Sequence, residues 1–179
     1  MLHWTPYRMS QSAPSSFATL DADAIQTSIV AIEDGWIDYN GHLNTGFYNI
    51  IFDKALDEAF LPVGLGPDYI TQRQLSYMTV ETHVCYLREV LKTDPVRVSV
   101  RVLDVDAKRL HTYSELLHAA DGWVAAACEA MFLHVDMQQR KSAPWPPDIR
   151  LRLDALKAAH CTLVAPEYAG RRIGIARKS

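Results

Sequence analysis

Trp36-Ile37-Asp38-Tyr39-Asn40-Gly41-His42-Leu43-Asn44-Thr45-Gly46-Phe47-Tyr48 runs from extended chain through a polar turn into the start of a helix. Gly41 and Gly46 let the backbone bend where a Cβ would hinder it, and Asn44 or Thr45 can cap the helix. From Gly46 to Leu61 the apolar residues Tyr48, Ile51, Phe52, Ala55, Ala59 and Phe60 recur at three- and four-residue steps. That is the period of a helix with a wide buried face. Asp38 therefore sits a few residues before free backbone N–H groups, which can polarise a carbonyl or hold an anion. A carboxylate beside such a helix start suits acyl chemistry. The same residues also read as architecture alone, with Asp38 and Asn40 forming a turn and His42 and Asn44 satisfying backbone groups.

Outward from this stretch, 179 residues of which 49% are hydrophobic predict one domain with its own core. A formal charge of −3 gives no electrostatic case for nucleic acid or an anionic membrane. No apolar run reaches the length of a membrane span, and the N-terminus lacks the basic-then-apolar order of a signal peptide. Cys85, Cys128 and Cys161 have no metal-like spacing, so reduced thiols in the cytoplasm are expected. The seven histidines are scattered and make no His-x-x-x-His pair. With no Gly-rich phosphate loop, nucleophile elbow or repeat, neither a metal nor a cofactor is expected.

Residues 1–25 are rich in Ser, Ala and Thr and predict a loose arm, docked in part through Trp4, Tyr7 or Phe17, with Met9 as a second candidate start. Thr27–Ile32 is a short β-like run. After the helix, 62–67 is rich in breakers and 68–76 is polar and irregular, a candidate pocket rim. From Tyr77 the period becomes two: Met78, Val80, Thr82, Val84 and Tyr86 share one face, and Thr79, Glu81, His83 and Cys85 the other. Val96, Val98, Val100 and Val102 mark the next strand, and Arg109–Ala119 another. Asp121-Gly122 signals a hairpin, and Trp123–Val135 suits a central strand covered on both faces, although its alanines also fit a helix. Asp148–His160 predicts an amphipathic helix carrying Ile149, Leu153 and Leu156 on one side. The domain is then 26–162, with an exposed, charged tail over 163–179 that includes Arg171, Arg172, Arg177 and Lys178. One strand, a long helix and four strands with short turns predict an α+β fold, an antiparallel sheet with a segregated helix. The uncovered part of such a sheet calls for a self-complementary partner.

Asp38-x-x-Gly41-His42-x-Asn44, closing into Phe47-Tyr48, resembles the signature of hot-dog-fold acyl-CoA thioesterases related to 4-hydroxybenzoyl-CoA thioesterase. Three passages resemble its betainyl-CoA thioesterase branch, associated with carnitine breakdown: Trp36–Asn44, Asp106–His111, and Leu133–Asp136 leading into Arg140–Pro144. The resemblance implies a curved antiparallel sheet of five or more strands wrapped around the long helix. It also implies a homodimer or dimer-based tetramer with sites between protomers, and hydrolysis of a small acyl-CoA, betainyl-CoA among the candidates, to free acid and CoA. Asp38 matches the catalytic aspartate, as nucleophile or general base, with Asn40, Gly41, His42, Asn44 and Thr45 supporting the loop and the oxyanion donors. Arg88, Lys108 and Arg109, with Arg140 and Lys141 behind them, are candidates for the CoA phosphates. Trp36, Phe47, Tyr48 and Tyr77, with Tyr39 and Trp123 also available, are candidates for the acyl pocket. Glu81 or Asp34 would face a cationic acyl group. Two alternatives stay open: a hot-dog hydratase or dehydratase using His42, and a non-catalytic acyl-CoA-binding dimer.

Overall fold

A computed structural model describes residues 23–175. The expectations for Trp4, Tyr7, Met9, Phe17, Arg177 and Lys178 lie outside them. The elements in chain order are β1 (Ile25–Gln26), α1 (Thr45–Phe60), α2 (Pro67–Arg73), β2 (Leu75–Tyr86), β3 (Val96–Val105), β4 (Arg109–His118), β5 (Val124–Asp136), β6 (Lys141–Ser142) and α3 (Pro147–His160). All strands pair antiparallel, in the order β1-β3-β4-β5-β2 with β6 on β5. This is the expected α+β arrangement, and among the described residues the sheet carries six strands.

α1 forms for the reasons its sequence suggested. The Asn44 side chain accepts the Gly46 N–H at the N-cap, and Tyr48, Ile51, Phe52, Ala55, Leu56, Ala59 and Phe60 are buried. They pack on a sheet face made by Val96, Val98, Val100 and Val102 of β3, Leu110 and Leu116 of β4, and Ala126, Cys128, Ala130 and Phe132 of β5. The small residues of β5 let the helix lie close to the centre of the sheet. Burying a Leu- or Phe-sized side chain contributes about 1.5–3 kcal/mol, so this face carries most of the stabilisation. Trp123–Val135 is thus a strand, and Asp148–His160 is a helix with Ile149, Leu153 and Leu156 buried.

Three local expectations are corrected. Thr27–Ile32 is not a strand: pairing ends at Gln26, because the Thr27 side chain takes the Val98 N–H itself at 3.1 Å, and the chain rejoins the sheet only at Val30, opposite Val96. Residues 68–76 are not irregular. Pro67 stands at the first helical position, where its missing N–H has no partner to lose, and starts α2; left-handed Gln74 (φ 54°) ends it. In β2 a bulge at Val80 breaks the alternation, with Thr79 opposite Phe132 and Glu81 opposite Met131. Tyr77 and Thr79 therefore share the inner face with Thr82, Val84 and Tyr86, while Met78 and Val80 are exposed.

The tail is largely exposed, as expected, but it is not free. Arg101, Tyr113, Glu129 and His83 form one row across the outer face of the sheet. The tail crosses that row, with Arg101 Nη1 donating to Val164 O at 2.8 Å and Glu129 Oε2 accepting the Gly170 N–H at 2.6 Å.

Candidate active site

The stretch from Trp36 to Asn44 closes on itself. Ile37 faces Leu43 across a bridge, Asp38 N–H donates to His42 O, and Asn44 N–H donates to Trp36 O. Gly41 turns the chain at φ +87°, a left-handed conformation that L side chains rarely adopt. Leu43 N–H donates to Val90 O at 2.8 Å, which pins this loop to the segment just after β2. The Asp38 carboxylate accepts the Asn40 N–H at 2.8 Å and lies 3.8 Å from His42 Nδ1. Its side chain is 14% exposed against 34% for His42.

His42, Thr45, Tyr48 and Arg88 line one open pocket of about 270 Å³ together with Tyr86 and Glu89. At the helix start the Gly46 N–H is taken by Asn44 Oδ1 and the Phe47 N–H by Asn44 O. Thr45 N–H has no acceptor among the described residues and stands at this pocket as the first free donor, where the helix dipole favours negative charge. Arg88 gets there because Leu87 N–H and Arg88 N–H both donate to Ala125 O, turning the chain at the end of β2. Its guanidinium lies 4.0 Å over the Trp123 ring, which stacks on His118 in turn.

Other expected site residues lie elsewhere. Trp36 and Phe47 stack on each other at 5.4 Å on the far side of α1, with Lys54 over Trp36. Tyr39 is 97% exposed. Tyr77 is a core residue between Phe60 and Phe132. Burial, then the Asp57 and Asp53 charges, push its phenol well up; Asp57 is the neighbour of a hydroxyl with no well-formed hydrogen bond. Asp34 is exposed and paired with Lys92, and Glu81 is exposed on the opposite face of β2.

Lys108 and Arg109 stand at the turn before β4, whereas the Asp38 loop sits by Val90 and Ala125, at the His118 end of that strand. The ten residues of β4 separate the two ends by about 30 Å. Within one protomer the structure does not bring this pair to Asp38. Asp106 caps the turn instead, accepting from Lys108 N–H, Arg109 N–H and Arg109 Nε, and these bonds hold its carboxyl down to about 2. The Leu133–Asp136 passage is likewise architectural. Buried His134 accepts from Tyr69 OH at Nε2 and donates from Nδ1 to Ala143 O, and burial lowers its pKa, which keeps it neutral.

Residue types alone missed a second hollow. An open groove of about 350 Å³ runs along α1 beside β2, lined by Asn49, Asp53 and Thr82 over a floor of Phe52, Cys128 and Phe132. Burial pushes the Cys128 thiol up to about 12, with the Glu129 charge adding to it, so it stays an inert thiol. The sequence signal was available: Asn49 and Asp53 are polar at an i, i+4 step beside the buried face of the helix.

A curved antiparallel sheet around one buried helix, with a carboxylate loop at the helix start, defines a hot-dog fold of the acyl-thioester-handling class. The chain belongs to the thioesterase-like superfamily, whose family model matches residues 32–153. It is 37% identical over 140 residues to a betainyl-CoA thioesterase of Pseudomonas aeruginosa, covering 78% of this chain and 88% of that one. It is 32% identical to an L-carnitine dehydrogenase/betainyl-CoA thioesterase of Rhizobium meliloti, over 93% of this chain but only 34% of that longer protein. Among solved structures, a Staphylococcus aureus protein in complex with CoA superposes with a TM-score of 0.81 at 25% identity, covering 89% of this chain and 99% of that one.

Proposed function

We propose that this protein hydrolyses acyl-CoA thioesters, with Asp38 as the reacting carboxylate. The observation that carries this reading is the meeting of Asp38, His42 and the free Thr45 N–H at one helix start, in a chain of the thioesterase-like superfamily. In the nucleophilic route the carboxylate attacks the thioester carbon, the C–S bond breaks, CoA leaves as thiolate, and water opens the mixed anhydride. In the general-base route Asp38 takes a proton from the attacking water. Both develop charge on the carbonyl oxygen, where the Thr45 N–H and the helix dipole stabilise it. His42 positions Asp38 in this reading and is not the nucleophile.

The acyl group is proposed to be small, with betainyl the leading candidate because relatives of the chain bear that name. The working unit is proposed to be a homodimer formed through β2. That strand is a twelve-residue sheet edge with Met78 and Val80 exposed, and both hollows open beside it. Antiparallel pairing of two such edges sets the Lys108–Arg109 end of one sheet beside the Asp38 end of the other. CoA phosphates would then meet basic side chains across the dimer.

Thiol release from a small acyl-CoA panel tests the reading. Asp38→Asn should lower kcat by at least about a hundredfold, equivalent to roughly 2.7 kcal/mol of transition-state stabilisation, with the melting temperature unchanged. Near-wild-type turnover in that variant, or enoyl hydration without thiol release in the wild type, would remove the assignment.

A further inference from the structure

The groove along α1 contains charge that the hydrolytic chemistry does not use. Asp53 lies on its wall and Asp57 follows one helical turn later. Like charges at this spacing destabilise a helix. Among the described residues neither carboxylate is in an ion pair. The nearest lysine in sequence, Lys54, is turned away over the Trp36 ring. Among the described residues no Lys or Arg lines the groove, and its floor of Phe52, Cys128, Ala130 and Phe132 is apolar. The Asp57 carboxyl is pushed up, first by partial burial and then by the Asp53 charge, with the Tyr77 hydroxyl acting the other way.

The groove adjoins the pocket at the helix start, with the Asn49–Tyr86 pair standing between them. Tyr86 lines that pocket, and Asn49, which lines the groove, lies beside the Tyr86 hydroxyl. In the proposed arrangement, an acyl chain whose carbonyl meets Thr45 N–H extends past the Tyr86 ring toward Asp53. An anionic acyl group is repelled there, and a neutral one must desolvate a carboxylate without return. A quaternary ammonium group meets neither obstacle. It has no N–H to satisfy, aromatic faces attract it, and the carboxylates balance its charge.

Building on the thioesterase reading, we propose that Asp53, backed by Asp57, is the specificity-determining counter-charge for a cationic acyl group. Asp53 lies eight residues beyond Thr45, about 12 Å along the helix, and side chains lean back toward the helix start. The carboxylate thus acts on a short acyl cation through the groove and on a longer one by contact. Charge attraction falls only as the inverse of distance, so both are felt.

The test uses two matched pairs of thioesters: trimethylammonioacetyl-CoA against 3,3-dimethylbutanoyl-CoA, and 4-(trimethylammonio)butanoyl-CoA against its all-carbon isostere. The wild type should prefer the cation by at least about tenfold in kcat/KM, which corresponds to about 1.4 kcal/mol. Asp53→Asn should erase most of that preference, by lowering kcat/KM for the cation and raising it for the neutral partner, and hold or raise the melting temperature. The Asp53 effect should be larger in the longer pair. A wild type indifferent to charge, or an Asp53→Asn variant that keeps the preference, overturns the proposal while leaving a thioesterase. Preference kept with dimer dissociation would assign Asp53 to the protomer contact and overturn it as well. No thiol release from any of the four compounds would remove the underlying reading itself.

Discussion

Along β3, outward-facing backbone groups find partners in three separate segments. β1 pairs at Ile25 and Gln26 and Thr27 supplies its hydroxyl to the Val98 N–H; Val30 pairs with Val96; and His160 of α3 accepts the Val102 N–H at 2.8 Å. Along β2 the opposite edge has no strand outside it among the described residues, and it exposes Met78 and Val80 beside the open groove. An unpaired edge of twelve residues is a template for another chain. The chain thus spends irregular segments on sealing one edge and leaves the other open. The candidate site lies on the open side, which fits a site completed by a second protomer.

The sealed edge breaks most severely through α3. Leu153 is fully buried, and Leu153→Ala should cost about 2–5 kcal/mol in denaturant unfolding, through lost transfer energy and a cavity. A cost under about 1 kcal/mol would mean that α3 merely rests on β3. At the open edge, Val80→Lys places a charge where strand addition would bury it. Light scattering at micromolar protein should find monomer, with kcat/KM down at least about tenfold and unfolding free energy per chain little changed. A dimer with normal activity would move the protomer contact away from β2.

The third effect is smaller and depends on pH. His160 accepts at Nδ1, so it must be neutral to hold Val102, and burial lowers its pKa. The unfolded chain then binds more protons just below the ordinary histidine value of about 6.5. Stability present above that pH should be lost as pH falls through it toward the lowered folded value. His134 acts with the same sign. His160→Ala should cost about 1–3 kcal/mol at pH 7 by orphaning a buried N–H, and it should flatten, without abolishing, the acid slope of the melting temperature. An unchanged slope would exclude this histidine as a source of it.

How much of the molecule is legible in its sequence depends on the range of each signal. α1 and β3 have periods long enough to average over local exceptions, so their buried faces were legible, and the span of β4 was legible between its turn signals. β2 had the right period, but one bulge inverted part of its face assignment, and no residue type announces a bulge at Val80. α2, at seven residues, is too short for a period. Asp38, His42 and Thr45 were legible because a few contiguous residues hold all three at one turn. Lys108 and Arg109 were tied to the site by resemblance alone, and sequence proximity to a family passage does not say which end of a sheet a residue occupies. The Asn49–Asp53 wall went unnoticed because its meaning depends on which side of α1 the sheet leaves open.

The tail that crosses the outer face also bears on the order in which the molecule comes apart. Its anchors, Arg101 and Glu129, belong to β3 and β5, so the crossing exists only after β4 has joined the two. It is therefore among the last segments to dock. Exposed hydrogen bonds with few buried apolar contacts open locally, at free energies well below global unfolding. The Gly170 amide then exchanges with solvent while the β3–β5 ladder stays shut, and a protease can trim the tail from an otherwise native sheet.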